Sequence, residues 1–124
     1  MNKVNELVSE NFLYTEFTCP CCSTLKITPR FYQHVRLLQR MRTELGFPIA
    51  VNSGQRCEKH NQEVGGAAKS WHLLFATDVR PEDDDPKKLE AMYEAAKRLG
   101  FKGIGRYERF IHLDLRPEPV RWNG

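Results

Sequence analysis

The 124-residue sequence lacks any long hydrophobic run. No apolar stretch approaches the roughly 18 residues that a transmembrane helix requires, so we predict no membrane span. The N-terminal segment mixes charged and amide side chains with a few apolar ones, and so lacks the continuous apolar stretch of a secretory signal peptide. We expect a protein that works in the cytoplasm, leaves by another route, or was made without its leader.

The sequence also lacks a block of like charge. Its net charge is +3, and the positive residues are spread from Lys3 to Arg121, so nucleic-acid binding is not indicated. Hydrophobic residues make up 40% and charged residues 28%, as in folded soluble proteins. With no repeat, low-complexity stretch or linker, residues 1–124 form one predicted domain that begins with an arm at residues 1–17. We expect a monomer.

Four cysteines are present, at Cys19, Cys21, Cys22 and Cys57. Without a secretion signal, a disulfide framework is the less favoured use of them. Together with His60 they form Cys19-x2-Cys22 and Cys57-x2-His60, a pattern that could hold a structural zinc. The separation of about 34 residues between the pairs is longer than in the usual finger or ribbon, so we favour ordinary packing thiols.

Two helices are predicted from local signals. Thr28 can cap a helix, Pro29 suits its first position, and apolar residues recur at helical spacing until Gly46 ends it. A second apolar stripe of helical period begins at Pro86 and stops at Gly100.

Three strands are predicted, at residues 49–51, 76–80 and 110–116. The last alternates strictly between an apolar and a polar face, and the polar face carries His112, Asp114 and Arg116. Residues 55–71 show no sustained period and predict a long loop with at most one helical turn. This order of elements indicates an α+β domain with a small antiparallel sheet flanked by helices.

One set of residues is typical of a metal site. His72 and Asp78 are close in sequence, and His112 lies on a separate strand with polar neighbours. Two imidazoles and one carboxylate make a plausible catalytic zinc set, with a fourth position left for water. Taken alone the spacing is weak, because a lone histidine in a loop is usually a surface residue.

Four blocks of the sequence resemble motifs of one enzyme family. They are Ser53-Gly54-Gln55-Arg56, Ser70 to Asp78, Gly103 to Tyr107 and Phe110 to Arg116, and the loop after the first block, His60-Asn61 with Val64 to Ala67, also resembles the family; the blocks stand in the family's order, within a resemblance that spans residues 12–122. The family is that of the zinc D-alanyl-D-alanine carboxypeptidases and murein peptidases, whose fold is shared with the Hedgehog signalling domain. Two departures are Phe75, where glycine is usual, and Gln55, where an aromatic residue is common.

The resemblance implies a site and roles for its residues. It places zinc on His72, Asp78 and His112, and a substrate carboxylate on Arg56, for which a surface salt bridge is the alternative. Ser70 is expected to contact the substrate or to order its loop. The residue favoured as general base is Asp114, for which orienting an imidazole is the alternative, and Glu108 is the runner-up base.

The resemblance also implies a function. It predicts zinc-dependent hydrolysis of peptide bonds in peptidoglycan stem or cross-link peptides, by a carboxypeptidase or an endopeptidase, with phage lysins among the relatives. Such an enzyme would be cytoplasmic as synthesised and would act on the cell wall after release or export. The alternatives are a non-catalytic metal-binding or virion structural module of the same fold and, less favoured, a zinc-ribbon-like nucleic-acid module.

Overall fold

The structure is a computed structural model that describes residues 6–124. Its elements confirm the α+β class and follow one another as β1 (Leu7–Ser9), β2 (Phe12–Leu13), a 3₁₀ helix (Tyr14–Phe17), α1 (Pro29–Leu45), β3 (Ile49–Ser53), α2 (Glu58–Glu63), a second 3₁₀ helix (Trp71–Leu73), β4 (Ala76–Pro81), α3 (Pro86–Leu99), β5 (Gly103–Arg106), β6 (Ile111–Asp114) and β7 (Val120–Asn123). Within residues 6–124, no helix combines the length and the apolar character that crossing a membrane demands.

The two long helices begin and end at the predicted residues. The side chain of Thr28 accepts a hydrogen bond from the N–H of Phe31 at 3.2 Å, and Gly46 ends α1 in the left-handed region at φ 73°. Asp85 caps α3 through its carboxylate, and Gly100 ends that helix at φ 100°. The capping residues therefore mark where both helices begin and end, and these positions can be read from local sequence.

The main sheet has five strands in the order β3-β4-β6-β5-β7. All neighbours are antiparallel except β5 and β7, which run parallel. In this register Asp78 of β4 lies opposite His112 of β6, and His112 lies opposite Gly105 of β5. The pairing of β4 with β6 therefore brings two predicted ligands side by side.

One face of the sheet is covered by α1 and α3, and a buried histidine joins α1 to β4. His34 is fully buried between the rings of Phe75 and Phe101, and its Nε2 lies 2.9 Å from the Thr77 hydroxyl. Burial lowers the pKa of His34 to about 3, so the imidazole is neutral at pH 7. Asp78, which follows Thr77, faces the opposite side of the strand.

The N-terminal arm is part of the core rather than a separate appendage. Its described part forms the β1–β2 hairpin and a 3₁₀ helix, and Phe12 and Phe17 are buried. The carbonyl of Phe17 accepts a hydrogen bond from the N–H of Gln55 at 2.9 Å. A Cβ on Gly54 would lie 2.7 Å from the same carbonyl oxygen, so this close approach requires glycine. The arm thus supports the segment after β3.

The expectation of at most one helical turn in residues 55–71 is wrong. Helix α2 spans six residues, Glu58–Glu63, and a 3₁₀ helix follows at Trp71–Leu73. Cys57 is the N-cap residue of this helix, and its sulfur accepts a hydrogen bond from the N–H of His60 at 3.4 Å. A thiol is not among the usual N-cap side chains, so the sequence carried no ordinary start signal here.

Candidate metal centre and active site

Three side chains from neighbouring elements converge on one point. His72 comes from the second 3₁₀ helix, Asp78 from β4 and His112 from β6. His72 Nε2 lies 3.2 Å and His112 Nδ1 lies 3.1 Å from the same Asp78 oxygen, and the three donor atoms lie within 4.8 Å of one another. Ligand atoms around a tetrahedral zinc are separated by about 3.4 Å, given bonds of about 2.0–2.2 Å. The two distances from imidazole nitrogen to Asp78 are therefore close to those between ligand atoms of a metal ion of this size.

The protonation of His72 is set by the backbone behind it. Its Nδ1 lies 2.7 Å from the carbonyl oxygen of Gly54, which can only accept a hydrogen bond. Nδ1 therefore carries a proton, and Nε2 is the ring nitrogen that faces Asp78 and is available to bind a metal. Since Gly54 is itself packed against Phe17, this orientation depends on the arm.

His112 is oriented in the same way by a carboxylate. Its Nε2 lies 2.8 Å from Asp114 Oδ2, so the Nε2 proton is donated to Asp114 and Nδ1 faces Asp78. Asp114 is fully buried, and both of its oxygens also accept hydrogen bonds from the Arg116 guanidinium. A histidine held by a carboxylate through its second nitrogen is typical of metal ligands.

The donor set calls for a cation. When both rings are neutral, two nitrogen lone pairs and a carboxylate oxygen face one another and repel, and a hydrogen bond to Asp78 forms only when a ring takes up a second proton. Burial raises the pKa of Asp78, but hydrogen bonds to His112 and His72 outweigh burial and hold this pKa well below its usual range. Burial lowers the pKa of His112, yet hydrogen bonds to Asp114 and Asp78 raise it overall. A metal ion at the point of convergence would relieve the same repulsion as a proton, so these residues fit a metal.

The three side chains open onto a cleft of about 640 Å³. Cationic and aromatic side chains dominate its walls, among them Arg56, Lys69, Trp71, Tyr107, Arg116 and Trp122. Asp78 is the one carboxylate among the described residues that line it. The cleft is therefore suited to an extended ligand that carries negative charge.

Arg56 lies at the edge of the donor set. Its Nη2 is 3.6 Å from the Asp78 oxygen that does not face the imidazoles, and its Nη1 donates a hydrogen bond to the Asn61 side chain at 3.2 Å. Gly66 makes room for this arrangement, because a Cβ there would collide with Asn61. Asn61 thus fixes one end of the guanidinium, and the same group faces the cleft.

Ser70 and Glu108, two further predicted site residues, lie in different places. Ser70 lines the cleft, and its hydroxyl oxygen accepts a hydrogen bond from the N–H of His72 at 3.2 Å, so it orders the ligand loop. Glu108 is exposed in the turn between β5 and β6 and lines a separate cavity of about 300 Å³.

The two departures from the family motifs both have places in the interior. Gln55 is buried and donates a hydrogen bond to the carbonyl of Leu73 at 2.9 Å, while its side-chain oxygen accepts from the N–H of Lys26. Phe75 packs edge-on against Phe31 in the core, with ring centroids 5.0 Å apart. These two side chains therefore attach the loop that carries His72 to the interior of the protein.

Sequence reasoning missed the structural role of two glycines that it had quoted only as part of a motif block, and it missed a tryptophan altogether. A Cβ on Gly103 would lie 2.3 Å from the Asp114 carboxylate, and a Cβ on Gly105 would lie 2.5 Å from the Trp122 ring. The bare backbone of β5 therefore makes room for Asp114 and for Trp122, whose ring lies 5.2 Å from that of His112. The spacing Gly103-x-Gly105 opposite His112-x-Asp114 was the available signal, because both are period-two patterns on paired strands.

A family model described as Peptidase M15 matches residues 10–114, which contain all three candidate ligands and every strand of the main sheet except β7. No match is found among curated proteins.

Proposed function

The chain belongs to the Peptidase M15 family of metal-dependent peptidases, and we propose that it hydrolyses peptide bonds in peptidoglycan. The bonds would be those of stem or cross-link peptides, and the metal would be zinc held by His72, Asp78 and His112. The observation that carries the proposal is the convergence of two imidazole lone pairs and a carboxylate at the floor of an open cleft.

The residues of this chain would hold the metal and orient the side chains that bind it. A bound zinc would polarise the scissile carbonyl and lower the pKa of water at the open position. Gly54 and Asp114 set the two imidazoles with their lone pairs inward, so little rearrangement is needed when metal arrives. Ser70 keeps the loop of His72 in place through the backbone N–H.

The charge of the cleft supports a substrate with carboxylates. Arg56 and Lys69 both line the cleft, and Arg56 is already oriented by Asn61. A guanidinium held in this way can receive a carboxylate in the two-bond geometry that arginine favours. We propose that Arg56 binds a carboxylate of the stem peptide, while the aromatic walls contact its backbone.

A general base must accept a proton from the attacking water, and two carboxylates are candidates for this role. Asp114 was favoured from sequence, but it is fully buried and is engaged by His112 and Arg116. These contacts support the alternative role, in which Asp114 positions His112 as a ligand. The base role of Asp114 stays a prediction, and so does that of Glu108.

A non-catalytic metal-binding module is the second candidate. It is favoured by one observation, namely that no carboxylate apart from Asp78 lines the described walls of the cleft. Catalysis by hydrolysis normally uses a group that accepts a proton from water. In this alternative the protein would bind peptidoglycan or assemble into a virion without cutting a bond.

The experiment that decides is digestion of purified peptidoglycan by the zinc-loaded protein, followed by mass spectrometry of the released peptides. Loss of a terminal residue would identify a carboxypeptidase, and separation of cross-linked peptides an endopeptidase. The His112→Ala variant should release nothing, and His60→Ala is the matched control because His60 lies on α2 outside the donor set. Binding without cleavage by metal-loaded protein would favour the non-catalytic alternative.

We further propose that the protein reaches this substrate outside the cytoplasm, after release or export. Fractionation of cells that express the protein would test this, with wall-associated protein as the supporting result. Protein found only in the soluble cell contents, with none bound to the wall before or after lysis, would contradict it.

A further inference from the structure

The four cysteines converge at a second point, away from the histidines. Cys19 Sγ lies 3.6 Å from Cys21 Sγ and 3.7 Å from Cys57 Sγ, and Cys21 Sγ lies 3.2 Å from Cys57 Sγ. Cys22 belongs to the same group, in which all four sulfur atoms lie within 4.8 Å of one another. Residues 38 positions apart in sequence thus bring their thiols together.

These separations agree with metal coordination better than with a disulfide. Zinc binds thiolate sulfur at about 2.3 Å, so two sulfurs of a tetrahedral site are about 3.8 Å apart. A disulfide would require a separation of about 2.05 Å, and all four thiols are free. The distances from Cys19 to Cys21 and to Cys57 match a tetrahedral edge.

The exposure of the thiols argues against simple packing, which the sequence had favoured. Cys19 is buried and Cys57 is half-buried, whereas Cys21 and Cys22 are exposed. A cysteine that serves only as a small apolar side chain is normally buried. Two exposed thiols that turn towards a buried one indicate a function for the sulfur atoms.

The backbone around the sulfurs has the form of a ligand turn. Cys19 N–H donates to the carbonyl of Thr24, and Ser23 N–H donates to the carbonyl of Cys19, each at 2.8 Å. Ser23 takes a left-handed conformation at φ 59° to close the turn. The N–H of Cys57 also points to Cys19 Sγ at 3.4 Å, and such donors stabilise sulfur that carries negative charge.

We propose that Cys19, Cys21, Cys22 and Cys57 hold a second zinc ion, with a structural role. Four protein sulfurs fill all positions of a tetrahedral zinc and leave none for water, which is the composition of a structural site. The ligand set differs from the sequence pattern in one member, since Cys21 takes the place that His60 had in it. His60 instead gives its backbone N–H to Cys57 as part of the cap of α2.

The second zinc would fasten the turn at residues 19–24 to the segment that serves the candidate active site. Cys57 directly follows Arg56, and the N–H of Arg56 donates to the carbonyl of His72 at 2.8 Å. Gly54, which orients the His72 ring, lies three residues before Cys57. The site would act on Arg56 and His72 by positioning their backbone, and its existence does not depend on the proposed peptidase activity.

Metal analysis of purified variants tests this proposal directly. Protein prepared under reducing conditions with zinc should carry two zinc ions per chain, and the doubly substituted His72→Ala, His112→Ala protein should keep one. Cys21→Ser and Cys22→Ser, which alter exposed side chains, should each lose the second zinc and keep the first. Ser23→Asn is the matched control in the same turn, because asparagine tolerates the left-handed conformation and leaves every sulfur in place.

Cobalt substitution adds a readout that is independent of activity and of metal count. Cobalt in the doubly substituted protein should give the thiolate-to-metal charge-transfer absorption of a four-sulfur site, and Cys21→Ser should reduce it. A doubly substituted protein without metal, or Cys21→Ser and Cys22→Ser variants that keep two zinc ions, would overturn the proposal. A disulfide between Cys21 and Cys57 in freshly prepared, metal-free protein would overturn it as well.

Discussion

The histidine cluster and the cysteine cluster bring metal-ligating atoms together by different means. Two of the three ligands in the histidine cluster lie on paired strands, and both imidazoles are held from outside by Gly54 and Asp114. Three of the four thiols in the cysteine cluster come from one turn, and two of them are exposed. The comparison suggests that the first cluster is organised before metal binds, whereas the second gains its order from the metal.

The largest difference between the clusters should follow from His112→Ala. Peptidase activity should fall by more than about 10⁴-fold, because the donor set for the catalytic metal is lost. The unfolding midpoint should change little, and the zinc of the cysteine cluster should remain. Activity assays, calorimetry and metal analysis check the three statements, with His60→Ala as the control. A variant that kept full metal content at this site would show that the ligand assignment is wrong.

Asp114→Asn asks whether the outer contact of His112 serves binding or chemistry. The asparagine NH₂ group would face the Arg116 guanidinium, so the contact that orients His112 should weaken. We expect metal affinity to fall about 10–100-fold, with turnover restored by excess zinc. Competition with a chelator and kinetics at saturating zinc measure the two effects separately.

The opposite result would restore the base role. A loss of about 10²–10⁴-fold in turnover at full zinc occupancy would mean that Asp114 also accepts the proton. Glu108→Gln is the matched control, since it makes the same chemical change at an exposed carboxylate. A large loss in Glu108→Gln alone would transfer the base to Glu108.

Arg56→Ala separates the substrate from the metal. If Arg56 binds a substrate carboxylate, its removal should cost about 1.5–3 kcal/mol of binding, or roughly 10- to 150-fold, while zinc content stays the same. The loss should disappear when the carboxylate of the substrate is amidated. Arg98→Ala is the control, because Arg98 forms an exposed ion pair with Glu44. Equal kinetics of Arg56→Ala and Arg98→Ala on a carboxylate substrate would reject the role.

Hydrogen exchange compares the order of the two clusters directly. After removal of metal by a chelator, amides of the turn at residues 19–24 and of the following Cys57 segment should lose protection by about tenfold, which corresponds to about 1.4 kcal/mol. Amides of β4 and β6 should stay protected, because the sheet holds the histidine cluster without metal. An equal loss of protection in both regions would show that the two clusters do not differ in how much of their order depends on metal.

His34→Leu tests the core behind the histidine cluster through the pH dependence of stability. The pKa of His34 is about 3 in the folded protein and about 6.5 when unfolded, so the unfolded chain binds the extra proton between these values. Stability should therefore decline as the pH falls below about 6.5, by up to about 1.4 kcal/mol per unit. Denaturant titrations across this range should give a flatter slope in His34→Leu, and an unchanged slope would contradict the assignment.

Local signals in the sequence were sufficient for the two long helices α1 and α3, and motif blocks indicated the three candidate ligands. Thr28 and Gly46 act within one helical turn, so α1 could be predicted without its neighbours. His72, Asp78 and His112 were identified by their place in the family motifs, and the structure brings them together. The alternation in β6 also predicted that His112 and Asp114 share one face of the strand, and their side chains are in contact.

The remaining features depend on contacts between distant segments. Asp114 was expected beside the cleft on a polar strand face, but Gly103 on β5 leaves a space in which it is fully buried. Cys21 was left out of the predicted cysteine pattern, because its approach to Cys57 follows from the turn at residues 19–24 and not from spacing. Strand β7, which contains Trp122, has only four residues and is too short for its alternation of apolar and polar side chains to be detected.

The contact between Gly54 and Phe17 matters for anyone who shortens this protein. The family match begins at residue 10, and a version cut there would remove β1 and leave β2 without its partner strand. Phe12 would lose its pairing with Ser9, and Phe12 packs on Phe17, the residue against which Gly54 lies. A trimmed protein that expresses well could therefore be a poor enzyme, although none of its ligands had been touched.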